Sequence, residues 1–141
     1  MPHNLVLKAM NTTHRALLTL TRNKVGASFG GMPSLELTTT GRKSGRPRSV
    51  MLTAPLREGE AYVVVASRGG DDIHPAWFLN LRDNSDVEVR VVGQPKRKMH
   101  ARVASADERA VMWPKIADKY RNYAGYQKKT DREIPLVLLE P

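Results

Sequence analysis

The sequence predicts a mainly β, α+β fold: an antiparallel barrel or sandwich with short flanking helices and a helix at its N-terminus. Three observations carry this reading. Runs dense in β-branched residues recur along the chain, several joined to the next by a short glycine-bearing turn, as neighbouring antiparallel strands require. Helical spacing is confined to a few stretches. A chain of 141 residues, 40% of them hydrophobic, matches one compact core.

The elements follow in order. Over residues 3–22, Val6, Met10, Leu17 and Leu20 recur at three- and four-residue steps and predict an amphipathic helix, with Lys8, Arg15 and Arg22 on its polar side. Such a helix covers one face of a core, and it also suits a membrane surface or a partner. Residues 26–33, rich in glycine and ending in proline, break the pattern. The chain is therefore divided into residues 1–33, helix and connector, and residues 34–141, the barrel domain. Strands are predicted over 34–40, 48–57 and 60–67, with a tight turn at Glu58-Gly59 and a longer loop over 41–47. Pro75 opens a short helix through about Asn84, and 86–92 with 96–105 form a hairpin around Gly93. Asp107 and Glu108 mark a helix start before Val111, Met112 and Ile116, with Pro114 signalling a kink or a later start. Residues 121–125 are not expected to stay regularly helical, and 136–139 form a last buried strand.

Composition excludes several classes. Without cysteine there is no disulfide framework, thiol nucleophile, thiolate zinc site or iron–sulfur cluster. The longest apolar runs, 61–66 and 134–139, fall far short of the ~20 residues of a spanning helix. No secretory leader is visible, so a cytoplasmic location is expected, with membrane association through the N-terminal helix kept open. His3, His14, His74 and His100 share no ligand spacing, and no metal is expected. A nucleophile elbow, a dinucleotide fingerprint and paired carboxylates are also missing from the sequence.

Charge distribution is more informative than its total of +9. Residues 1–50 carry 8 basic and 1 acidic side chains, 51–100 carry 7 and 7, and 101–141 carry 8 and 6. Arg42, Lys43, Arg46 and Arg48 share the acid-free window 41–50. Its glycines, hydroxyls and guanidinium forks suit phosphate or carboxylate oxygens, although a solvated basic hairpin has the same composition. The segment Ala66-Ser67-Arg68-Gly69-Gly70 bends from strand to helix, bringing a hydroxyl and free N–H groups together, as a ligand with carbonyl edges requires; a plain turn reads alike. Tyr120, Tyr123 and Tyr126 could stack on a flat ligand or simply pack at an edge.

Taken together, Thr38-Thr39-Thr40-Gly41-Arg42-Lys43-Ser44-Gly45-x-Pro47-Arg48, Ala66-Ser67-x-Gly69-Gly70, Pro75-x-Trp77, Leu79-Asn80-Leu81, Trp113-Pro114, Tyr120-x-x-Tyr123-x-x-Tyr126-Gln127 and Ile134-Pro135 resemble the deazaflavin-dependent nitroreductase family over residues 34–141. The resemblance implies a split β-barrel that uses the deazaflavin coenzyme F420 in place of FMN. It also implies hydride transfer from the reduced ring to a nitroaromatic, quinone or activated enone. It assigns the coenzyme's phosphate and oligoglutamate tail to Arg42, Lys43 and Arg48, and the ring to Ser49, Val50, Met51, Ala66, Ser67, Arg68, Gly69 and Gly70, with Trp77, Asn80 and Leu81 closing the pocket. Thr53, Arg68, Tyr120, Tyr123 and Tyr126 fall at substrate-side positions. Ser67 is expected to hydrogen-bond ring or substrate oxygen, and Tyr123 or Tyr126 to stack on substrate and donate a proton.

Two positions depart from relatives that reduce bulky nitroimidazoles, where tyrosines stand: Thr53 and Arg68. Substrate preference is thus left open, with Arg68 favouring a carboxylate or quinone oxygen. Two rivals remain, an FMN-binding split barrel and a basic nucleic-acid-binding barrel. Residues 34–60 contain no Phe, Trp or Tyr for base stacking, so nucleic acid is not the expected partner. A small-molecule substrate is, with a homodimer as a further expectation.

Overall fold

The computed structural model describes residues 28–29 and 32–141. In order they form β1 (Ser28–Phe29), β2 (Met32–Thr40), β3 (Pro47–Thr53), β4 (Leu56–Glu58), β5 (Ala61–Val65), a 3-10 turn (Arg68–Gly70), α1 (Ala76–Asp83), β6 (Asp86–Val91), β7 (Arg97–Val103), α2 (Ala106–Lys119), α3 (Arg121–Lys128) and β8 (Leu136–Glu140). The predicted N-terminal helix, and with it the membrane contact, lies outside the described residues.

Every strand pairing is antiparallel, and from β3 the order runs β3-β2-β6-β7-β8-β5-β4. Its two ends, β3 and β4, are joined only by Ala54-Pro55, so one bent segment closes the sheet into a barrel. The sequence predicts a single strand over 48–57; the structure breaks it at Pro55, which offers no N–H to a ladder. Ala54 is buried there and its N–H donates to the Pro33 carbonyl at 2.9 Å. On the other side of the predicted connector, β2 begins at Met32 and pairs with β1, so the sheet reaches into residues 28–33.

Three consecutive valines on β5 make sense because both faces are covered. Tyr62, Val64 and Ala66 point into the barrel with Leu35, Leu37, Val87, Val89, Val137 and Leu139, while α1 plugs this core with Phe78 and Leu81. Ala61, Val63 and Val65 point outward to Met112, Ile116, Tyr123 and Ile134 under α2 and α3. Alternation by two therefore feeds two cores. Each fully buried aliphatic side chain contributes about 1.5–3 kcal/mol.

Pro114 lies inside α2 and does not delay its start. The start is fixed by a capping box: Ser105 Oγ accepts from the Glu108 N–H at 3.2 Å, and Glu108 Oε1 accepts from the Ser105 N–H at 2.9 Å. Irregular chain over 121–125 is corrected to regular helix, since α3 spans Arg121–Lys128. Tyr120, with φ −127° and ψ 90°, ends α2 and starts α3. Burial of Tyr123 beneath it outweighs the ~1 kcal/mol that Gly125 costs a helix. Among the described residues no helix is long and apolar enough to cross a membrane.

Candidate functional site

The loop between β2 and β3 is built around Gly41. Its N–H donates to the Arg46 carbonyl and its carbonyl accepts from the Gly45 N–H, both at 2.8 Å. A Cβ on Gly41 would stand 2.5 Å from Ser44 Oγ and 3.2 Å from the Arg46 carbonyl oxygen, so only glycine closes the loop this tightly. Asn80 of α1 pins the loop to the barrel: Oδ1 accepts from the Arg42 N–H at 3.1 Å and from Arg42 Nη1 at 3.3 Å, and Nδ2 donates to Thr39 Oγ1 at 3.1 Å. Asn80 is buried with its amide satisfied on both sides, so Arg42 is held at its backbone and at its guanidinium. Thr38 Oγ1 and Ser49 Oγ share a hydrogen bond at 2.8 Å across β2 and β3.

Between this loop and α1 opens a cleft of ≈ 470 Å³, lined by Arg42, Lys43, Arg48, Ser49, Val50, Trp77 and Asn80, with Gly41, Ser44 and Ala76. Three cations line it and no carboxylate does. Among the described residues Arg42, Lys43, Arg46 and Arg48 make no ion pair. Exposed guanidinium and ammonium groups with free donors beside an apolar wall of Val50 and Trp77 suit a ligand with a flat apolar end and a polyanionic end.

A second cluster surrounds the turn after β5. Ala66 and Ser67 are buried, and Arg68 (φ 47°), Gly69 (φ 65°) and Gly70 (φ 84°) all take positive φ. A Cβ on Gly70 would lie 2.7 Å from the Tyr126 carbonyl oxygen, so glycine lets the turn touch α3. Arg68 Nη1 pairs with Asp71 Oδ2 at 2.8 Å, which partly offsets its charge. The three tyrosines pack edge to face, with centroids 6.4 Å apart for Tyr120–Tyr123 and 6.0 Å for Tyr123–Tyr126. Tyr123 Oη lies 3.3 Å from Thr53 Oγ1 and 3.7 Å from Met32 Sδ, and burial pushes its pKa above the ordinary tyrosine value.

Of the residues singled out in the sequence, Arg42, Lys43, Arg48, Ser49, Val50, Trp77 and Asn80 meet in the cleft. Met51 and Leu81 lie behind it in the protein interior. Gly70 meets Tyr126 where the turn touches α3, Ala66 faces the barrel interior, and Thr53 meets Tyr123. Sequence reasoning missed Arg132 and His74. Arg132 donates to the Ser67 carbonyl at 2.8 Å and its Nη1 lies 3.2 Å from His74 Nδ1. Nothing local marks Arg132 among the chain's 23 Lys and Arg.

The closed antiparallel barrel, its plugging helix and the cationic cleft at its mouth define a protein of the split β-barrel class. Residues 10–141 match the F420H(2)-dependent quinone reductase family, and the chain belongs to that family of oxidoreductases. It is 38% identical over 130 residues, 89% of this chain and 86% of the relative, to the F420H(2)-dependent quinone reductase Rv1261c of Mycobacterium tuberculosis (strain ATCC 25618 / H37Rv). Among solved structures it is similar to an F420-H2 dependent reductase (FDR-A), with 40% identity, 77% of this chain and 94% of the other covered, and a TM-score of 0.67. A domain-swapped dimer is 34% identical, with 99% of this chain and 100% of that chain covered and a TM-score of 0.66. The family's acceptor is thus a quinone, narrower than the nitro compounds, quinones and enones that the sequence resemblance allows.

Proposed function

We propose that the protein is an F420H2-dependent quinone reductase whose cationic cleft holds the coenzyme's anionic tail. The observation that carries the reading is the cleft itself: Arg42, Lys43 and Arg48 without a carboxylate, beside Val50 and Trp77. When bound, the reduced deazaflavin supplies a hydride from its ring carbon to the quinone. Arg42, oriented by Asn80, and Lys43 and Arg48 neutralise phosphate and carboxylates of the tail. Ser49 and Val50 of β3 and the turn from Ala66 to Gly70 bound the ring, with Trp77 and Asn80 at its side and Met51 and Leu81 buried behind them. Thr53, Arg68, Tyr120, Tyr123 and Tyr126 form the acceptor side. Ser67 supplies a hydroxyl to a ring or acceptor oxygen. Of the tyrosines, Tyr126 is the proton donor, because it is only half-buried, whereas burial weakens Tyr123 as an acid. Thr53 in place of a larger ring leaves room for a quinone. The domain-swapped relative supports a homodimer.

The test is turnover. Purified protein is mixed with F420H2 and a soluble quinone, and in parallel with reduced FMN and the same quinone. Quinone-dependent oxidation of F420H2 is expected. Turnover with reduced FMN and none with F420H2 overturns the assignment in favour of the FMN-binding rival.

A further inference from the structure

Arg132 stands on the segment between α3 and β8, yet its guanidinium is directed wholly at the turn after β5. Nη2 donates to the Ser67 carbonyl and Nε to the Asp71 carbonyl, each at 2.8 Å, and Nη1 lies 3.2 Å from His74 Nδ1. These three acceptors bracket the three successive positive-φ residues Arg68, Gly69 and Gly70. A left-handed φ at arginine crowds its Cβ and persists where the surroundings fix it. Ser67 is right-handed, with φ −79° and ψ −36°, and a step from right- to left-handed backbone turns successive N–H groups to one side. Arg132 is itself held from behind. Gln127 Nε2 donates to its carbonyl at 2.8 Å, and Arg109 Nη2 donates to Gln127 Oε1 at 3.1 Å, so α2 and α3 both anchor the segment.

We infer that Arg132 is a positioning residue: its planar fork locks the Ser67–Gly70 turn, whose Gly70 and Asp71 N–H groups donate back to the Ser67 and Arg68 carbonyls, and so sets the Ser67 hydroxyl and the Arg68 and Gly69 N–H groups against the reacting ring. The inference rests on the proposed function for the identity of that ring. It does not rest on Arg132 touching coenzyme or substrate. Three acceptors in one fork geometry need a guanidinium, since an ammonium cannot span them. Burial, Arg132 and Arg82 all favour neutral His74, the form able to accept from Arg132.

The test compares wild type with Arg132→Gln and Arg132→Lys in three readouts: amide hydrogen exchange over residues 68–71, kcat with F420H2 and quinone, and the equilibrium Kd for F420. In both variants exchange in the turn is expected to quicken and kcat to fall by about tenfold or more, while Kd stays within about threefold because the cationic loop is untouched. Three outcomes overturn the inference: unchanged exchange and kcat; full recovery in Arg132→Lys, which would make charge alone sufficient; or faster exchange throughout the barrel with Kd rising in step. Should the Arg132 variants not fold, His74→Ala removes one of the three acceptors and must show the same selective pattern at smaller size; turn exchange and kcat like wild type there count against the clamp. A wild type that does not oxidise F420H2 contradicts the proposed function, and the exchange comparison still decides what Arg132 does.

Discussion

Arg42 and Lys43 illustrate how a side chain's role follows from what does not surround it. With no ion pair among the described residues, their charges remain available to a ligand. Arg42→Ala combined with Lys43→Ala is expected to weaken F420 binding by about ten- to a hundredfold, steepest at low salt and with longer glutamate tails, as fluorescence titration would read out. Asn80→Ala leaves those cations in place but frees Arg42 and orphans Thr39 Oγ1, so a smaller loss of affinity is expected together with a lower Tm. Two groups erode stability at successive stages of acidification, His74 first and Glu108 later. Glu108 is held down to about 2 by Arg102 and by the capping bonds with Ser105, so its contribution is complete above its ordinary value near 4.5 and is lost as pH falls toward 2. His74 is lowered by burial and by Arg132 and Arg82. The unfolded chain therefore takes up that proton first, and stability declines as pH drops below about 6.5. Thermal unfolding of His74→Gln should show a flatter decline between pH 7 and 5.

At the scale of elements, legibility depended on whether the cause was local. The β5 valines, the hairpin at Gly93 and the cationic loop declare themselves through composition and spacing. The break at Ala54-Pro55 was signalled by the proline but hidden inside an apolar run, and its cause is barrel closure, which no window of sequence contains. Helix α3 was missed because its stability comes from Tyr123 packing beside Met32 and Ile116 rather than from the helix propensity of its own residues. The clamp of Arg132 on the turn was invisible for the same reason, as its partners lie 58 to 65 positions away. Packing between α2 and the sheet can be tested directly. Ile116 is fully buried, and Ile116→Ala is expected to cost about 2–5 kcal/mol in chemical denaturation without changing coenzyme affinity, since it faces the outer core.

For the whole molecule, the net charge of +9 resolves into a local device. A barrel closed by one bent strand and plugged by α1 brings a cationic loop to its mouth, and under the proposed function that loop holds the anionic end of the coenzyme. The central claim is that this cleft selects F420. The most direct measurement titrates the wild-type protein with F420, FMN and single-stranded DNA under one set of salt conditions. The account predicts saturable F420 binding with a Kd on the order of micromolar, weaker by about tenfold or more in the Arg42→Ala, Lys43→Ala variant, and no comparable affinity for the other two. Tight FMN or DNA binding without an F420 signal, or F420 binding indifferent to the loss of both cations, would contradict it.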